Sequence, residues 1–132
     1  MSVFTDAERE YLTEQRLARI ATASAKATPD VSAVTFVLAD DTIEIRGRDN
    51  PATLKWRNVV ANPRASVVID DLATIEPWVP RGIKTRGRAE TIQRDGTTGV
   101  IVVHADTIWS WGINQGADTY FAGMIEKRVV NS

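Results

Sequence analysis

The chain has 132 residues, of which 43% are hydrophobic and 25% charged, and its formal net charge is −1. These values are typical of a folded protein, so we expect residues 1–132 to form a single domain and we exclude a disordered or fibrous chain. The lack of cysteine and the single histidine exclude disulfides, thiolate chemistry and multi-histidine metal centres.

A helix is predicted near the start of the chain. Thr5 and Glu8 have the spacing of a capping box, in which a hydroxyl and a carboxylate three residues later satisfy free backbone N–H groups. The helix should continue to about Arg16 and pack inward through Tyr11 and Leu12.

Three strands are predicted next. Alternating apolar residues indicate strands at Leu17–Ser24 and Val31–Leu38, and the turn residues Lys26–Asp30 between them indicate a hairpin. A third strand at Thr42–Arg48 should pair with the second in a meander.

A second, short helix is predicted over Ala52–Ala61. Asn50 supplies an N-cap, Pro51 suits the first helical position, and Asn62-Pro63 ends the segment.

Three further strands are predicted at Ala65–Asp70, Gly82–Gln93 and Thr98–Ile113, with Trp78 in the loop between the first two. Six strands in hairpin succession and two short helices predict a mostly β fold. Because closure removes exposed edges in so small a domain, we expect a six-stranded antiparallel barrel.

The positive charge is concentrated in two segments. Arg46–Arg64 holds five basic residues and one acidic residue, a net +4, and Arg81–Arg94 has the same balance. The rest of the chain therefore carries −9, since −1 minus +8 is −9. Arginine provides 12 of the 16 basic residues, and its guanidinium suits phosphate or carboxylate, so a small anionic ligand is the leading interpretation, with ordinary solvated surface charge as the alternative.

Candidate binding residues lie where the third strand meets the second helix. The third strand ends with two arginines, and the second helix that follows carries a lysine and an arginine. The glycine between the two strand arginines allows a ligand or a backbone segment to approach closely. These residues are Arg46, Gly47, Arg48, Lys55, Arg57 and Asn58. The alternative is a solvated helix face opposite the apolar Leu54 and Val59.

The four tryptophans suit a planar ring ligand where they lie near cations, but they also suit core or dimer packing. Trp109 and Trp111 are two residues apart and should share one face of the last strand. His104 follows the apolar run Val100–Val103, and we interpret it as a structural or interface histidine rather than a catalytic one.

The order of several segments resembles the pyridoxamine 5′-phosphate oxidase-like family over about residues 5–113. These segments are Thr28–Val34, Arg46–Asp49, Lys55–Asn58, Asn62–Val67 and Gly87–Glu90. A second set is similar to the small actinobacterial branch that uses the deazaflavin coenzyme F420. Its members are Asp70–Leu72, Pro77–Gly82 and Ser110–Gly112.

The resemblance implies an FMN-binding split β-barrel that acts as a homodimer, with cofactor sites at the subunit interface. It implies that Lys55 contacts the cofactor phosphate region, with Arg57 and Asn58 beside it. Arg46 and Arg48, with Gly47 between them, would approach the cofactor tail, and Trp78 would be a further binding residue. The chain lacks the C-terminal arginine and histidine segment of true pyridoxamine 5′-phosphate oxidases, so vitamin-phosphate oxidation is not expected. The tail Gln115–Ser132 matches nothing in the family.

We therefore expect an oxidoreductase that transfers hydride from reduced coenzyme F420 to a small unsaturated substrate. The alternatives are an FMN-dependent oxidoreductase of the same fold and a non-catalytic flavin- or deazaflavin-binding protein. An isoelectric point of about 5.8 disfavours a nucleic-acid partner. We expect no membrane segment or signal peptide, because no apolar run approaches ~18 residues, and we expect a cytoplasmic location.

The sequence also predicts a preference between the two flavins. Coenzyme F420 carries a chain of carboxylates beyond its phosphodiester, whereas FMN ends in one phosphate, and two +4 segments exceed what FMN requires. The second segment would then meet the tail through Arg81, Lys84, Arg86 and Arg88.

Overall fold

The computed structural model describes residues 2–95, 98–114 and 125–130. Within these residues lie two α-helices, eight strands and one 3-10 turn. The elements in chain order are α1 (Asp6–Glu14), β1 (Leu17–Ala23), β2 (Pro29–Thr35), β3 (Val37–Ala39), β4 (Thr42–Gly47), the 3-10 turn (Asn50–Ala52), α2 (Leu54–Ala61), β5 (Arg64–Thr74), β6 (Val79–Gln93), β7 (Gly99–Trp111) and β8 (Glu126–Val129).

The strands form one antiparallel sheet that curls back on itself. Its order is β2-β1-β5-β6-β7-β4-β3, and β8 pairs with β7. The two strands at the ends of this order, β2 and β3, are separated in sequence only by Phe36, which is buried. They are two halves of one predicted strand, so the six-stranded split barrel is confirmed, with β8 as an additional strand.

The second predicted strand, Val31–Leu38, is divided at Phe36. Before this residue the chain pairs with β1, in the predicted hairpin. After it the chain pairs with β4, in the predicted meander. The alternation of apolar residues continues through the change of partner, so it gave no sign of the break.

Helix α1 has the predicted capping box. The Thr5 hydroxyl accepts a hydrogen bond from the Glu8 N–H, and the Glu8 carboxylate accepts one from the Thr5 N–H. Tyr11 and Leu12 are buried as expected, but so is Glu8, and the helix ends at Glu14 rather than at Arg16.

Helix α2 begins later than predicted. Its N-cap is Thr53, whose hydroxyl accepts a hydrogen bond from the Trp56 N–H at 3.3 Å. Asn50 is not the cap, because its side chain is buried and bonds to the backbone of β4 and β7. The proline after it lies in the 3-10 turn.

The core fills the inside of the curled sheet and is closed by the two helices. Its largest fully buried apolar side chains are Leu12, Ile20, Ile43, Ile45, Ile69, Ile83, Ile101 and Ile108. The run Val100–Val103 is also buried within the chain, so it needs no partner to cover it. No helix among the described residues is long and apolar enough to span a membrane.

Candidate functional site

A cleft of about 480 Å³ opens where β4 ends and β7 begins. Three of the predicted binding residues, Arg46, Gly47 and Arg48, line it. We call it the arginine cleft. Its remaining lining residues are Arg94, Thr98, Gly99 and Val100.

Asn50 holds the floor of the arginine cleft together. Its side-chain amide donates hydrogen bonds to the Ile45 carbonyl at 2.8 Å and to the Gly99 carbonyl at 3.0 Å. These bonds connect β4 to β7 directly beneath the cleft. The sequence pattern assigned Asn50 to helix capping and so missed this role.

Two glycines, Gly47 and Gly99, lie in the floor of the arginine cleft, with other side chains packed closely against them. A methyl group on Gly99 would lie 2.5 Å from the Trp56 ring, and one on Gly47 would lie 3.0 Å from the Asn50 side-chain oxygen. The space that these methyl groups would fill is taken by Trp56 and Asn50, so the two glycines make room for protein side chains beneath the cleft. A close approach of a ligand to Gly47 stays a prediction.

The charge in the cleft is only partly neutralised. Arg46 forms an ion pair with Glu44 at 2.8 Å. Arg48 and Arg94 have no carboxylate partner among the residues that the structure describes. Two uncompensated guanidinium groups face one opening, which favours an anionic ligand.

The predicted helical residues lie on different faces of α2. Lys55, Asn58 and Asn62 are spaced i, i+3, i+7 and share one face, whereas Arg57 is two positions from Lys55, about 200° around the helix. Asn58 is buried and donates a hydrogen bond to the Thr22 hydroxyl at 3.0 Å, which fixes α2 to β1. The structure therefore does not bring Arg57 to the side of the helix where Lys55 lies.

A second cavity, of about 230 Å³, lies at the C-terminal end of α2, between β1 and β5. Asn62 contributes to it from the Lys55 face of the helix, and Thr22 contributes from β1. Its other lining residues are Ala21, Ala23, Arg64, Ala65, Ser66 and Arg86. Small side chains between two arginines leave room for a flat group with a negative end.

Two of the five basic residues in the second segment are already paired with a carboxylate in the part of the chain that the structure describes. Arg81 donates two hydrogen bonds to Asp71, at 2.8 and 3.0 Å. Arg88 pairs with Glu90 at 2.5 Å, and Nε2 of His104 lies 3.1 Å from the same carboxylate. The hydrogen bond from Arg88, with that from His104, lowers the pKa of Glu90 despite partial burial.

The cations around Trp109 lie far from the arginine cleft along the sheet. Gly99 lies at the arginine cleft, and Trp109, which Lys84 and Arg86 approach, is ten residues further along β7. Ten residues of strand extend about 33 Å. One short anionic group therefore cannot contact both the arginine cleft and the cations around Trp109 in the same chain.

Trp78 is also distant from the cleft. It is 58% exposed, in the turn before β6 begins, whereas Arg94 of the cleft follows the other end of β6. Within one chain the structure does not bring Trp78 and Arg48 together.

The sequence matches the family described as pyridoxamine 5′-phosphate oxidase over residues 4–111. It is 34% identical over 125 residues, 88% of each chain, to the 5a,11a-dehydrotetracycline/5a,11a-dehydrooxytetracycline reductase of Streptomyces rimosus subsp. rimosus. The fold is similar to a solved structure named F420 reductase, with a TM-score of 0.60, 19% identity and coverage of 75% of this chain and 94% of the other. It is also similar to a heme binding protein from Mycobacterium smegmatis, with a TM-score of 0.72, 17% identity and coverage of 98% and 60% respectively.

Proposed function

Since the chain belongs to the pyridoxamine 5′-phosphate oxidase family, we propose that it is an F420-dependent oxidoreductase that reduces a carbon–carbon double bond in a polycyclic, carbonyl-conjugated substrate. The observation that carries the proposal is the 34% identity, over 88% of both chains, to a reductase whose named substrates are dehydrotetracyclines. The solved structure named F420 reductase supports the fold that this chemistry requires.

The arginine cleft fits the anionic part of the proposed cofactor. Arg48 and Arg94 lack carboxylate partners among the described residues, and Arg46 adds a third guanidinium. Three guanidinium groups exceed what the single phosphate of FMN requires, so the cleft favours the cofactor with more negative charges. Lys55 would hold the phosphate region, as the family resemblance implies.

When bound, the deazaflavin supplies the hydride, and the protein supplies orientation and electrostatics. Gly47 and Gly99 make room for the Asn50 and Trp56 side chains beneath the cleft, while Asn50 keeps β4 and β7 at a fixed separation. Among the residues that the structure describes, the lining of the cleft includes no carboxylic acid and no histidine, so the proposed source of the proton that completes the reduction of the double bond is water.

Heme binding, the property named for one structural neighbour, has less support in this chain. His104 is the single histidine, and its Nε2 lies 3.1 Å from Glu90. This contact engages Nε2, so a heme iron would have to bind the other ring nitrogen, Nδ1.

We also propose that the protein is a homodimer. The outer face of β1 and β2 exposes Leu17 and Val31, with exposed fractions of 53% and 66%, beside the exposed small residues Ala21 and Ala33. Arg19 lies on the same face, between Leu17 and Ala21, and pairs with Ala33. Exposed apolar residues on a sheet face are typical of a subunit interface. A dimer formed there would also be the means of bringing distant residues such as Trp78 to a shared site.

Titration of the apoprotein with coenzyme F420 and with FMN tests the cofactor. We expect tighter binding of F420 and a greater loss of its affinity at high salt, because more charge contacts are screened. We expect Lys55→Gln and Arg48→Gln each to weaken F420 binding about tenfold, the size of one lost charge-assisted hydrogen bond.

Arg57→Gln and Arg16→Gln serve as matched controls, since both remove an exposed arginine charge. We expect a smaller effect from Arg57, on the far side of α2, and none from Arg16. Equal affinities in all four variants, or tighter binding of FMN or heme than of F420, would refute the cofactor assignment. Consumption of reduced F420 with a polycyclic enone, followed by absorbance, tests the reaction itself.

A further inference from the structure

We propose that Trp109 and the three cations around it form a second anion-binding site, for an extended chain of carboxylates. The site lies on the outer face of β6, β7 and β8. Lys84 on β6 and Lys127 on β8 both pair directly with Trp109 on β7, so an indole lies between two lysines in one row across the sheet. We call these residues, with Arg86, the Trp109 cluster.

The distances show that all three cations reach the same ring. The Lys84 Nζ lies 4.2 Å from the ring centroid, the Arg86 Cζ 5.1 Å and the Lys127 Nζ 5.8 Å. These are cation–π distances, each typical of about 0.5–1 kcal/mol at an exposed position.

The neighbouring arginines differ from the cations of the Trp109 cluster, because each of these arginines already forms an ion pair with a carboxylate. Arg64 pairs with Asp106 at 3.0 Å, Arg88 pairs with Glu90 at 2.5 Å, and Arg19 lies 3.9 Å from Asp70. No cation of the Trp109 cluster has a carboxylate within ion-pair distance among the described residues.

Asp106, the carboxylate on which the charge of Arg86 acts, is already engaged. Asp106 accepts hydrogen bonds from Arg64 and from Thr107, which lower its pKa, and the charge of Arg86 acts on it from further away. Three like charges thus remain around one indole and repel one another. An anion with several charges would relieve this repulsion.

The number of cations favours a ligand with several charges over a single small anion. The three charged groups come from the two strands that neighbour β7 and lie within about 6 Å of the centroid of one indole ring. Successive carboxylates of an oligoglutamate chain can pair with the three cations and pass over the indole face. The arginine cleft is about 33 Å away along β7, so this site is separate from it.

Two sources share this chemistry. One is the oligoglutamate tail of coenzyme F420, held by another subunit, and this source rests on the proposed function. The other is a free acidic peptide, which does not depend on it. Lys127 lies in the tail segment that matches nothing in the family, so the site would be a feature of this chain.

Fluorescence anisotropy of labelled hexaglutamate, with the apoprotein at low salt, tests the site without any cofactor. We expect saturable binding that Lys84→Gln/Lys127→Gln weakens about five- to tenfold, since each exposed charge contact contributes modestly. The control is Arg16→Gln/Lys26→Gln, which removes the same net charge from exposed positions elsewhere and should leave the affinity unchanged. Equal melting temperatures would show that both double variants are folded.

A parallel titration with F420 bearing its tail, and with F420 lacking the glutamates, distinguishes the two sources. If the tail is the ligand, Lys84→Gln/Lys127→Gln weakens only the tail-bearing form. If hexaglutamate alone is affected, the ligand is a free acidic chain. Absence of saturable hexaglutamate binding, or equal loss in the two double variants, would overturn the proposal whatever the cofactor is.

Discussion

Glu8 is a carboxylate with no solvent exposure, and its partners come from both ends of the sequence. The Thr5 N–H donates to it locally, while Asn114 and Arg128 donate from residues that follow β7. Burial alone would raise the pKa of Glu8, but the hydrogen bonds from Arg128, Thr5 and Asn114 outweigh burial and lower it. Glu8 is therefore charged at neutral pH and depends on these donors.

Replacement of Arg128 should destabilise the fold. In Arg128→Gln the buried carboxylate loses its charged partner, and we expect the free energy of unfolding to fall by about 2 kcal/mol. Urea denaturation measures the change. Lys127→Gln, one residue earlier on the exposed side of β8, is the control and should change it by no more than about 1 kcal/mol, the size of its cation–π contact with Trp109. Equal stability of both variants would contradict the role of Arg128.

The same contact predicts how stability depends on pH. The pKa of Glu8 is lowered on folding, so its contribution is fully present above the ordinary value of 4.5 and is lost as pH falls through the lower folded value. We expect the wild type to lose stability below pH 4.5 more steeply than Glu8→Gln, whose amide does not titrate. Thermal unfolding between pH 3 and 7 compares the two, and parallel curves would count against this contribution.

Local sequence predicted the capping role of Glu8 but not its partner, because Arg128 is 120 residues away. The two asparagines at the candidate site show the same limit. The sequence predicted Asn50 as a helix cap and Asn58 as a ligand-binding residue. In the structure each side chain is buried and donates a hydrogen bond to a strand, Asn50 to β7 and Asn58 to β1. A pattern of residue types identifies polar side chains, whereas their partners depend on how the sheet curls.

At the scale of elements, the pairing of β6 with β7 contains a bulge. Arg86 pairs with Thr107 and Gly87 with Ala105, so Asp106 is an extra residue on β7. Its carbonyl accepts a hydrogen bond from the Val130 N–H at 2.8 Å, just after β8 ends. The bulge thus joins three consecutive strands of the sheet and directs Asp106 to Arg64.

Gly87 is required at this bulge. A methyl group there would overlap the carbonyl oxygen of His104 and lie 2.8 Å from the Asp106 nitrogen, both of which are backbone atoms that cannot turn aside. We expect Gly87→Ala to lower the free energy of unfolding by about 2–3 kcal/mol, as overpacking does. Arg88→Ala, exposed on the same strand, should cost less than about 1 kcal/mol by the same urea measurement. A smaller effect at Gly87 than at Arg88 would show that the bulge adapts.

Alternation of apolar and polar residues predicted which segments form most of the strands. It did not predict the break at Phe36 or strand β8, and each omission has a physical reason. The break at Phe36 separates two sets of partners without any change in alternation. Strand β8 is short and polar, as Glu126-Lys127-Arg128 shows, and it is stabilised by pairing with β7 rather than by an apolar face. Prediction from pattern requires a buried face, and β8 has almost none.

At the scale of the molecule, the proposed dimer is directly testable. We expect light scattering to give the mass of two chains, and we expect Val31→Lys to shift it toward one, because a charge would enter an apolar contact. Thr28→Lys, in the adjacent exposed turn, is the control and should remain dimeric. A monomeric wild type at micromolar concentration would refute the interface and any cofactor site that two chains share.

The contact between Glu8 and Arg128 also sets an order of events during synthesis. Helix α1 leaves the ribosome early, but the guanidinium that compensates its buried carboxylate is made 120 residues later. Until Arg128 is made, burial of Glu8 would leave an unpaired negative charge in the core. The incomplete barrel therefore cannot reach its final packing. A chain that ends before residue 128 should therefore remain readily cleaved by proteases after its release from the ribosome, whereas the released full-length chain should be resistant.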